Sequence, residues 1–295
     1  MSSILTGRSA LVIGGTAGIG EAVAVHLAAR GADVTVAGRN ADAGASVVSR
    51  MRAASDATAD AAHHFEFLRL DASSLNETRA FTTDFRARRD ERPLDFLVMC
   101  QSTASFGGRQ ETSEGFELKL VLHAYSRFLL TEDLLPLLRL GHVDDQGAGR
   151  VLSVLSGGVH GAFTDWADAD LRRSFSLKRA ADAAGFYNDL AFQHMADEPL
   201  NASVGFLHAA PGFVASKWGH QTKAAPLIKL AQKMLAKSTD QCAEILVSAM
   251  CDPRYAKGFH CVDEHGEPAK TTSAHTAANV SALQRHLELV YATLG

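Results

Sequence analysis

A glycine-rich turn that follows an apolar run constrains the fold of this chain more than any other segment. Residues 10–13 are Ala-Leu-Val-Ile, and residues 14–20 are Gly-Gly-Thr-Ala-Gly-Ile-Gly. Residues 21–30 then carry small and apolar side chains at helical spacing up to Gly31, and residues 33–37 form a second apolar run. This order predicts a strand, a tight turn, a helix and a second strand, which together make a βαβ unit.

Glycines at the start of a helix allow an anion to approach the backbone. The first N–H groups of a helix are unpaired and its dipole favours negative charge, whereas a Cβ would stand in the way. Gly14, Gly18 and Gly20 lack that atom. The turn, with Thr16 and Ile19, is therefore predicted to bind the diphosphate of a dinucleotide. The alternative is an ordinary glycine turn without a ligand.

The rest of the chain continues the alternation of strands and helices. Five further apolar runs predict strands at residues 64–70, 94–100, 150–156, 204–208 and 257–262. Helices are predicted at residues 74–89, 113–140 and 174–195, and the alanine-rich residues 41–62 predict a loosely held helix and loop. Pro136 predicts a kink or a break near the end of helix 113–140.

This pattern predicts an α/β fold, a single Rossmann-type, doubly wound domain over residues 1–295. Strands that alternate with helices form a mostly parallel sheet, here of seven strands, with helices on both faces. Ligands of such folds bind at the carboxyl ends of the strands.

Composition argues against several other classes of protein. The net charge of −4 and the lack of a long basic stripe argue against binding of nucleic acid. Residues 1–8 lack the pattern of a signal peptide, and no apolar run reaches the roughly 18 residues that span a bilayer. We therefore expect a cytoplasmic protein that binds no membrane. The cysteines have no metal-ligand spacing, so we expect buried thiols and no metal site; they are Cys100, Cys242, Cys251 and Cys261.

Two segments resemble motifs of the short-chain dehydrogenase/reductase family. The glycine turn matches Thr-Gly-x-x-x-Gly-Ile-Gly, with Ile13 in place of the threonine. Residues 211–216, Pro-Gly-Phe-Val-Ala-Ser, are similar to Pro-Gly-x-Val-x-Thr. The likeness covers nearly the whole chain and implies an oxidoreductase that binds a nicotinamide dinucleotide. It also implies a substrate lid at about residues 215–237 and a C-terminal helix at about residues 270–295.

The resemblance implies which residues contact the cofactor. Asp71 corresponds to the aspartate that the family places on the adenine. The backbone after the sixth strand holds the nicotinamide carboxamide, and the hydroxyl of Ser216 reaches the cofactor. Together with the turn, the implied contacts are Gly14, Thr16, Gly18, Ile19, Gly20, Arg39, Asn40, Asp71, Ala72, Gln101, Ser102, Pro211, Gly212, Val214 and Ser216.

The residues after the second strand bear on the choice between NAD and NADP. Sites that prefer NAD place a carboxylate there for the ribose 2′-hydroxyl, whereas the 2′-phosphate of NADP needs positive charge. The chain has Gly38, Arg39 and Asn40, and the guanidinium of Arg39 can bind phosphate. NADP, in its reduced form NADPH, is the predicted cofactor. The alternative is that Arg39 only forms a surface salt bridge.

Members of the family use four residues in catalysis. A serine on the fifth strand orients the carbonyl, a tyrosine donates the proton, a lysine four residues later lowers the pKa of that tyrosine, and an asparagine supports a relay water. Ser156 corresponds to the serine, and His123 stands where the asparagine is expected. Residues 175–181, Phe-Ser-Leu-Lys-Arg-Ala-Ala, align with Tyr-x-x-x-Lys-Ala-Ala. Phe175 and Arg179 then replace the tyrosine and the lysine.

A second alignment takes Tyr187 as the tyrosine. The residue four positions later is then Ala191, which carries no charge, and the distance to Pro211 becomes too short. The first alignment accounts for more residues and is preferred; in it, Tyr187 packs in the core with one hydrogen bond. Phenylalanine has no proton to donate, and loss of a general acid slows a reaction by about 10²- to 10⁴-fold.

Three functions remain open at this point. The first is an NADP-dependent oxidoreductase that acts on a carbonyl or alcohol, with Ser156, His123 or water as an atypical proton donor and Arg179 on the nicotinamide ribose. The second is an NADP-binding pseudoenzyme, a sensor or interaction protein without redox turnover. The third is a non-redox enzyme that uses the same pocket. The expected partner is a small-molecule substrate, and the family commonly forms homodimers or homotetramers, a choice that the sequence leaves open.

Overall fold

A parallel sheet of seven strands is the centre of the molecule. The computed structural model describes residues 5–55, 63–103, 105, 107–143, 147–215 and 236–294. The strands are β1 (Ser9–Ile13), β2 (Asp33–Gly38), β3 (Phe65–Arg69), β4 (Phe96–Met99), β5 (Arg150–Val154), β6 (Gly205–Ala209) and β7 (Gly258–Val262). Their order is β3-β2-β1-β4-β5-β6-β7, and every neighbouring pair is parallel. The predicted fold class is confirmed.

Helices cover both faces of this sheet. They are α1 (Gly18–Ala29), α2 (Ala41–Ala54), α3 (Leu75–Arg89), α4 (Leu118–Leu120), α5 (Ser126–Arg139), α6 (Leu177–Asp197), α7 (Thr239–Met250) and α8 (Ala277–Tyr291). A π-helical turn, Val121–Tyr125, joins α4 to α5. Helices α1, α2 and α7 pack on one face, and α3, α5 and α6 pack on the other, where α8 lies against α6. No helix in the described ranges is long and apolar enough to cross a membrane.

The alternation of side chains along each strand divides the apolar residues between two cores. In β1, Leu11 and Ile13 belong to the core under α3, α5 and α6, whereas Ala10 and Val12 belong to the core under α1, α2 and α7. All five residues of β1 are buried. A strand buried on both faces needs a continuous apolar run, which is the pattern that the sequence shows.

Side-chain caps set where several helices begin. The Ser74 hydroxyl accepts from the Glu77 N–H at the start of α3. The Ser176 hydroxyl accepts from the Arg179 N–H at the start of α6. Because Ser176 is the cap, Phe175 lies outside the helix.

Two helix predictions differ from the structure. The helix predicted from residue 113 begins at Leu118, because Gly115 takes a left-handed conformation (φ +81°) and the Glu117 carboxylate caps the Leu120 N–H. Of the kink or break predicted at Pro136, a break does not occur, since α5 continues to Arg139. Pro136 forgoes one intrahelical hydrogen bond, and only three residues of α5 follow it.

Candidate functional site

Two cavities lie at the carboxyl ends of the strands. One, of about 830 Å³, is lined by the start of α1, the end of β4 and residues 211–215 after β6. The other, of about 240 Å³, is lined by the glycine turn and the ends of β2 and β3. Ala17, Cys100 and Ser102 line both. The cavities therefore form one cleft, which crosses the sheet at the switch point between β1 and β4.

The glycine turn places the start of α1 in the cleft. Ala17, which precedes α1, makes no capping hydrogen bond, and the first turn of α1 lines the larger cavity. Gly14 has φ +72°, and a Cβ on it would lie 2.6 Å from the Gln101 nitrogen. A Cβ on Gly20 would overlap the Gly14 carbonyl oxygen. These two glycines let the turn pack closely against its neighbouring backbone, and the unpaired N–H groups at the start of α1, which lines the larger cavity, fit a diphosphate.

The smaller cavity carries a charged residue of each sign. Arg39 and Asp71 line the smaller cavity together with Thr16 and Ala72. Arg39 is exposed and has no ion pair or hydrogen bond with any residue that the structure describes. Asn40 has a local role, because its side chain caps α2. A free guanidinium at this cavity is the group that a 2′-phosphate would need.

The other predicted cofactor contacts lie toward the end of β4 and after β6. Those that line one or both cavities are Gln101, Ser102, Pro211, Gly212 and Val214. Ser216 and most of the predicted lid, residues 216–235, lie outside the described residues. The described contacts thus extend along the whole cleft.

Ser156 follows β5 and has a buried hydroxyl without a hydrogen-bond partner among the described residues. Its Oγ lies 2.5 Å from where a Cβ on Gly185 would stand, so only glycine leaves room for it against α6. The Ser156 N–H donates to His208 Nε2 at 3.0 Å. The backbone is therefore held in place, while the buried hydroxyl keeps an unused hydrogen-bonding capacity among the described residues.

A buried carboxylate orients the histidine behind Ser156. Because His208 Nε2 accepts from Ser156, its proton is on Nδ1, which donates to Asp189 Oδ1 at 2.5 Å. His160 Nε2 lies 2.9 Å from Asp189 Oδ2, and its Nδ1 lies 3.0 Å from the Gly161 carbonyl oxygen. Both partners of His160 are acceptors, so both of its nitrogens donate and the ring is an imidazolium.

The pKa values agree with this assignment. Burial alone would raise the pKa of Asp189, but the hydrogen bonds from His160 and His208 outweigh it and hold that pKa well below its usual range. Burial would lower the pKa of His160, and the carboxylate of Asp189 raises it instead. Cys261 Sγ and His275 Nε2 also lie against this carboxylate, at 3.3 and 3.2 Å. Asp189 is therefore a stable buried anion.

The same residues include ligand types that bind transition metals. The ligand atoms of His160, Asp189 and His208 lie within 4.8 Å of one another. A metal on His208 Nδ1 would place the proton on Nε2, which already accepts from the Ser156 N–H. The cluster is therefore assigned to hydrogen bonding that positions Ser156.

His123 lies in the π turn and connects it to the cleft. Its Nε2 is 3.0 Å from the hydroxyl of Ser102, and its carbonyl oxygen accepts from Asn188 Nδ2 at 2.7 Å. Removal from water lowers the pKa of His123 to about 3, and the charges of Arg127 and Lys119 act in the same direction. The ring is therefore neutral near pH 7 and carries no acidic proton to donate.

Arg127 joins the strand ends beneath the cleft. Its guanidinium is fully buried and donates to the carbonyl oxygens of Gln101 at 2.8 Å and Val154 at 3.1 Å. It also donates to the Ser153 hydroxyl at 2.6 Å. Burial lowers the pKa of Arg127 to about 10, so it stays charged at neutral pH. The ends of β4 and β5 are thereby held together.

Phe175 and Arg179, which align with the family's tyrosine and lysine, contact different side chains. Arg179 donates to Asp165 Oδ2 at 2.8 Å, and its guanidinium lies 5.1 Å from the centre of the Phe163 ring. Lys119, from α4, is the cation beside Phe175, with Nζ 5.3 Å from the centre of that ring. The charge beside position 175 thus comes from a different helix.

Tyr187 is part of the apolar core. Its ring is fully buried and stacks on Trp166 with centroids 5.5 Å apart. Its hydroxyl donates to the Ala169 carbonyl oxygen at 3.0 Å, and burial raises its pKa well above the usual value. The hydroxyl of Tyr187 therefore has a structural hydrogen bond inside the core.

Motif patterns do not point to several residues of this site. These residues are Lys119, Arg127, His160, Asp189 and His208. What they share is a polar or charged side chain that the fold buries, most often within an apolar helix or strand. Since such groups are rarely buried without a partner, that pattern could have indicated them.

Comparisons with known proteins agree with this description. The chain matches the short chain dehydrogenase family over residues 8–167. It is 40% identical to polyprenol dehydrogenase of Mus musculus over 170 residues, which are 58% of this chain and 48% of that protein. It is 32% identical to oxidoreductase AN1596 of Emericella nidulans over 211 residues, 70% of this chain and 59% of that protein. The chain thus spans about half of the curated relatives it matches.

A solved structure shows the same fold. The Pseudomonas aeruginosa RhlG/NADP active-site complex superposes with a TM-score of 0.67 at 21% identity, over 89% of this chain and 98% of that one. The family match covers more than half of the sequence and includes the glycine turn. The parallel sheet, with a cleft at its switch point, is the architecture that such a family requires. The protein therefore belongs to the short-chain dehydrogenase family.

Proposed function

We propose that the protein is an NADP-dependent oxidoreductase that transfers a hydride between NADP(H) and a carbonyl or alcohol of a small molecule. The observation that carries this proposal is the cleft itself, which is lined by the glycine turn, by the start of α1 and by Arg39, a cation with no partner among the described residues. These groups suit the diphosphate and the 2′-phosphate. NADP in the Pseudomonas complex and the oxidoreductase names of the relatives support the same class.

The chain's own residues supply binding and orientation. A bound NADPH would supply the hydride. The first turn of α1 would hold its diphosphate, and residues 211–214 would hold the nicotinamide end. The free hydroxyl of Ser156 would donate to the carbonyl oxygen of the substrate while His208 keeps the serine backbone in place. This donor would favour the developing negative charge on oxygen.

The test combines cofactor titration with turnover. Calorimetry should show that NADPH binds, and more tightly than NADH. The rate of NADPH oxidation, followed by absorbance with a panel of aldehydes and ketones, should be about 100-fold or more lower in Ser156→Ala than in the parent. The affinity for NADPH should be unchanged. Ser248→Ala, an exposed serine on α7, is the matched control and should behave as the parent. Failure of both dinucleotides to bind at millimolar concentration would refute the proposal.

A cofactor-binding protein without turnover is the second candidate. Phe175 has no proton to donate, and the neutral ring of His123 cannot replace the missing phenol. Tight binding of NADPH with no consumption on any carbonyl compound would favour this candidate over the first.

A further inference from the structure

A second cation, Arg50 of α2, lies beside the start of α1. It lines the larger cavity together with Ala17, Gly18 and Glu21. The Arg50 side chain is 55% exposed, and its guanidinium donates to the Glu21 carboxylate. That ion pair is its only polar interaction within the described ranges, so most of the N–H donors of the guanidinium remain available. Arg50 is therefore open to solvent and able to bind a further acceptor.

The ion pair with Glu21 fixes where this guanidinium lies. Glu21 is in the first turn of α1, and its N–H makes the first intrahelical hydrogen bond, to the Ala17 carbonyl oxygen at 3.3 Å. The N–H groups of the three residues before Glu21 have no acceptor within the helix. Because Arg50 donates to a side chain of that same turn, its charge lies at the helix terminus that the diphosphate would occupy.

The charges at this terminus indicate what Arg50 does there. A carboxylate in the first turn of a helix interacts favourably with the helix dipole, but it repels a second anion at the same place. Arg50 balances the charge of Glu21 and adds N–H donors beside the unpaired backbone N–H groups. Hydrogen bonds from arginine to phosphate oxygens are charge-assisted, and they are about twice as strong as neutral ones.

We propose that Arg50 is a phosphate-binding residue of the cleft, which binds the diphosphate of the dinucleotide from α2 while Glu21 holds it at the start of α1. Arg39, which lines the smaller cavity, then serves the 2′-phosphate alone. NADH and NADPH share the diphosphate, so Arg50 acts on both cofactors, whereas Arg39 acts on NADPH. This inference rests on the proposed function, since it assigns a residue to the dinucleotide of that site.

The first experiment compares the two cofactors by titration calorimetry. Arg50→Met should weaken the binding of NADPH and of NADH equally, by about tenfold, as expected for the loss of a charge-assisted hydrogen bond. Arg39→Met should weaken NADPH to a similar extent and change the Kd for NADH by less than about twofold. Arg52→Met removes an exposed arginine of the same helix that lines neither cavity, and it should leave both Kd values unchanged. A Kd for NADH that Arg50→Met does not change would overturn the proposal.

A double-variant cycle separates phosphate binding from neutralisation of Glu21. In the Glu21→Gln background no carboxylate remains to be neutralised, so a residue that binds the diphosphate should still lose about tenfold in affinity when Arg50 is replaced by methionine. If the loss disappears in that background, Arg50 only neutralises Glu21 and the proposal is wrong. Because the Arg50 side chain is exposed, Arg50→Met should unfold at the temperature of the parent.

The last experiment uses fragments of the cofactor. ADP carries a diphosphate without a 2′-phosphate, and 2′-AMP carries a 2′-phosphate without a diphosphate. Arg50→Met should weaken ADP by about tenfold and leave 2′-AMP unchanged, whereas Arg39→Met should do the reverse. If the parent binds neither NADPH nor NADH, the oxidoreductase function fails, while the ADP titration still decides the role of Arg50. Equal Kd values for ADP in Arg50→Met and the parent would exclude that role.

Discussion

The two ends of the cleft differ in the burial and pairing of their charged residues. At the proposed cofactor end, formed by the glycine turn and the ends of β2 and β3, Arg39 is exposed and unpaired among the described residues. At the proposed catalytic end, formed by Ser156, the π turn and α6, Arg127 and Asp189 are fully buried and bound by several hydrogen bonds each. An exposed charge contributes little to stability and is free to bind a ligand, whereas a buried one is part of the fold.

This difference predicts which property, dinucleotide affinity or folding stability, mutations at each end should change. Substitutions at the cofactor end should change affinity for the dinucleotide and leave the free energy of unfolding nearly unchanged. Substitutions at the catalytic end should lower that free energy even where they leave the cofactor contacts intact. The following variants test the contrast, from the largest expected effect to the smallest.

Asp189→Asn should lower the free energy of unfolding by about 3 kcal/mol, because it leaves the His160 imidazolium without its buried counter-ion. The pKa of Asp189 is lowered in the folded protein, so its contribution is complete above the unfolded carboxyl value of about 4 and is lost as the pH falls. Urea unfolding at pH 7 measures the effect. Asp182→Asn, on the same helix but partly exposed, is the control, with a loss below about 1 kcal/mol. Equal losses would remove the contrast between buried and exposed charges.

His123→Asn should make stability less sensitive to acid. The folded ring has a pKa of about 3, whereas the unfolded ring takes up a proton near 6.5, so the parent loses stability as the pH falls below about 6.5. Between pH 7 and pH 5 this amounts to about 1 to 2 kcal/mol, reduced because the ring is partly accessible. Urea unfolding at both pH values should show a smaller difference in the variant. The exposed His64→Asn should keep the parent's pH dependence, and an unaltered difference in His123→Asn would contradict the assignment.

Arg39→Glu should weaken binding of NADPH by more than about tenfold, since a charge-assisted hydrogen bond to the 2′-phosphate is replaced by repulsion. Its free energy of unfolding should stay within about 0.5 kcal/mol of the parent, as expected for an exposed residue. Arg52→Glu makes the same charge change at an exposed position of α2 and should leave both quantities unchanged. A Kd for NADPH equal to that of the parent would remove Arg39 from the cofactor site.

Tyr187→Phe should have the smallest effect, about 1 kcal/mol of stability, because it removes one buried hydrogen bond to the Ala169 carbonyl. Calorimetric unfolding measures this loss, and NADPH affinity and turnover should remain those of the parent. A loss of turnover of about 100-fold would instead favour the alignment in which Tyr187 is the proton donor.

The glycine turn and the strands around it could be predicted well from local sequence. Gly14 and Gly20 are required by close backbone approaches between neighbouring segments, and such requirements leave a motif in the chain. The apolar runs of the strands likewise follow from burial on both faces. Helix ends were less predictable, because caps such as Glu117 and Ser176 compete with the apolar pattern.

The catalytic end could not be predicted to the same depth. Asp189, His160 and His208 come from α6, the segment after β5, and β6, and only packing brings them together behind Ser156. Lys119 of α4 contacts Phe175, which lies far away in the sequence, so no sequence motif links the two residues. Residue spacing finds partners within one helix, and these partners belong to different elements.

The amino-acid sequence by itself determined the βαβ unit, the parallel sheet and the glycine turn, because each depends on residues close together in the chain. It also aligned Phe175 with the family's tyrosine, and this alignment stays a prediction. Only the tertiary structure decided which cation stands beside that position and which buried carboxylate holds Ser156 through His208. The reason is physical: the energy of a buried charge depends on the partners that folding places around it, wherever in the chain they come from.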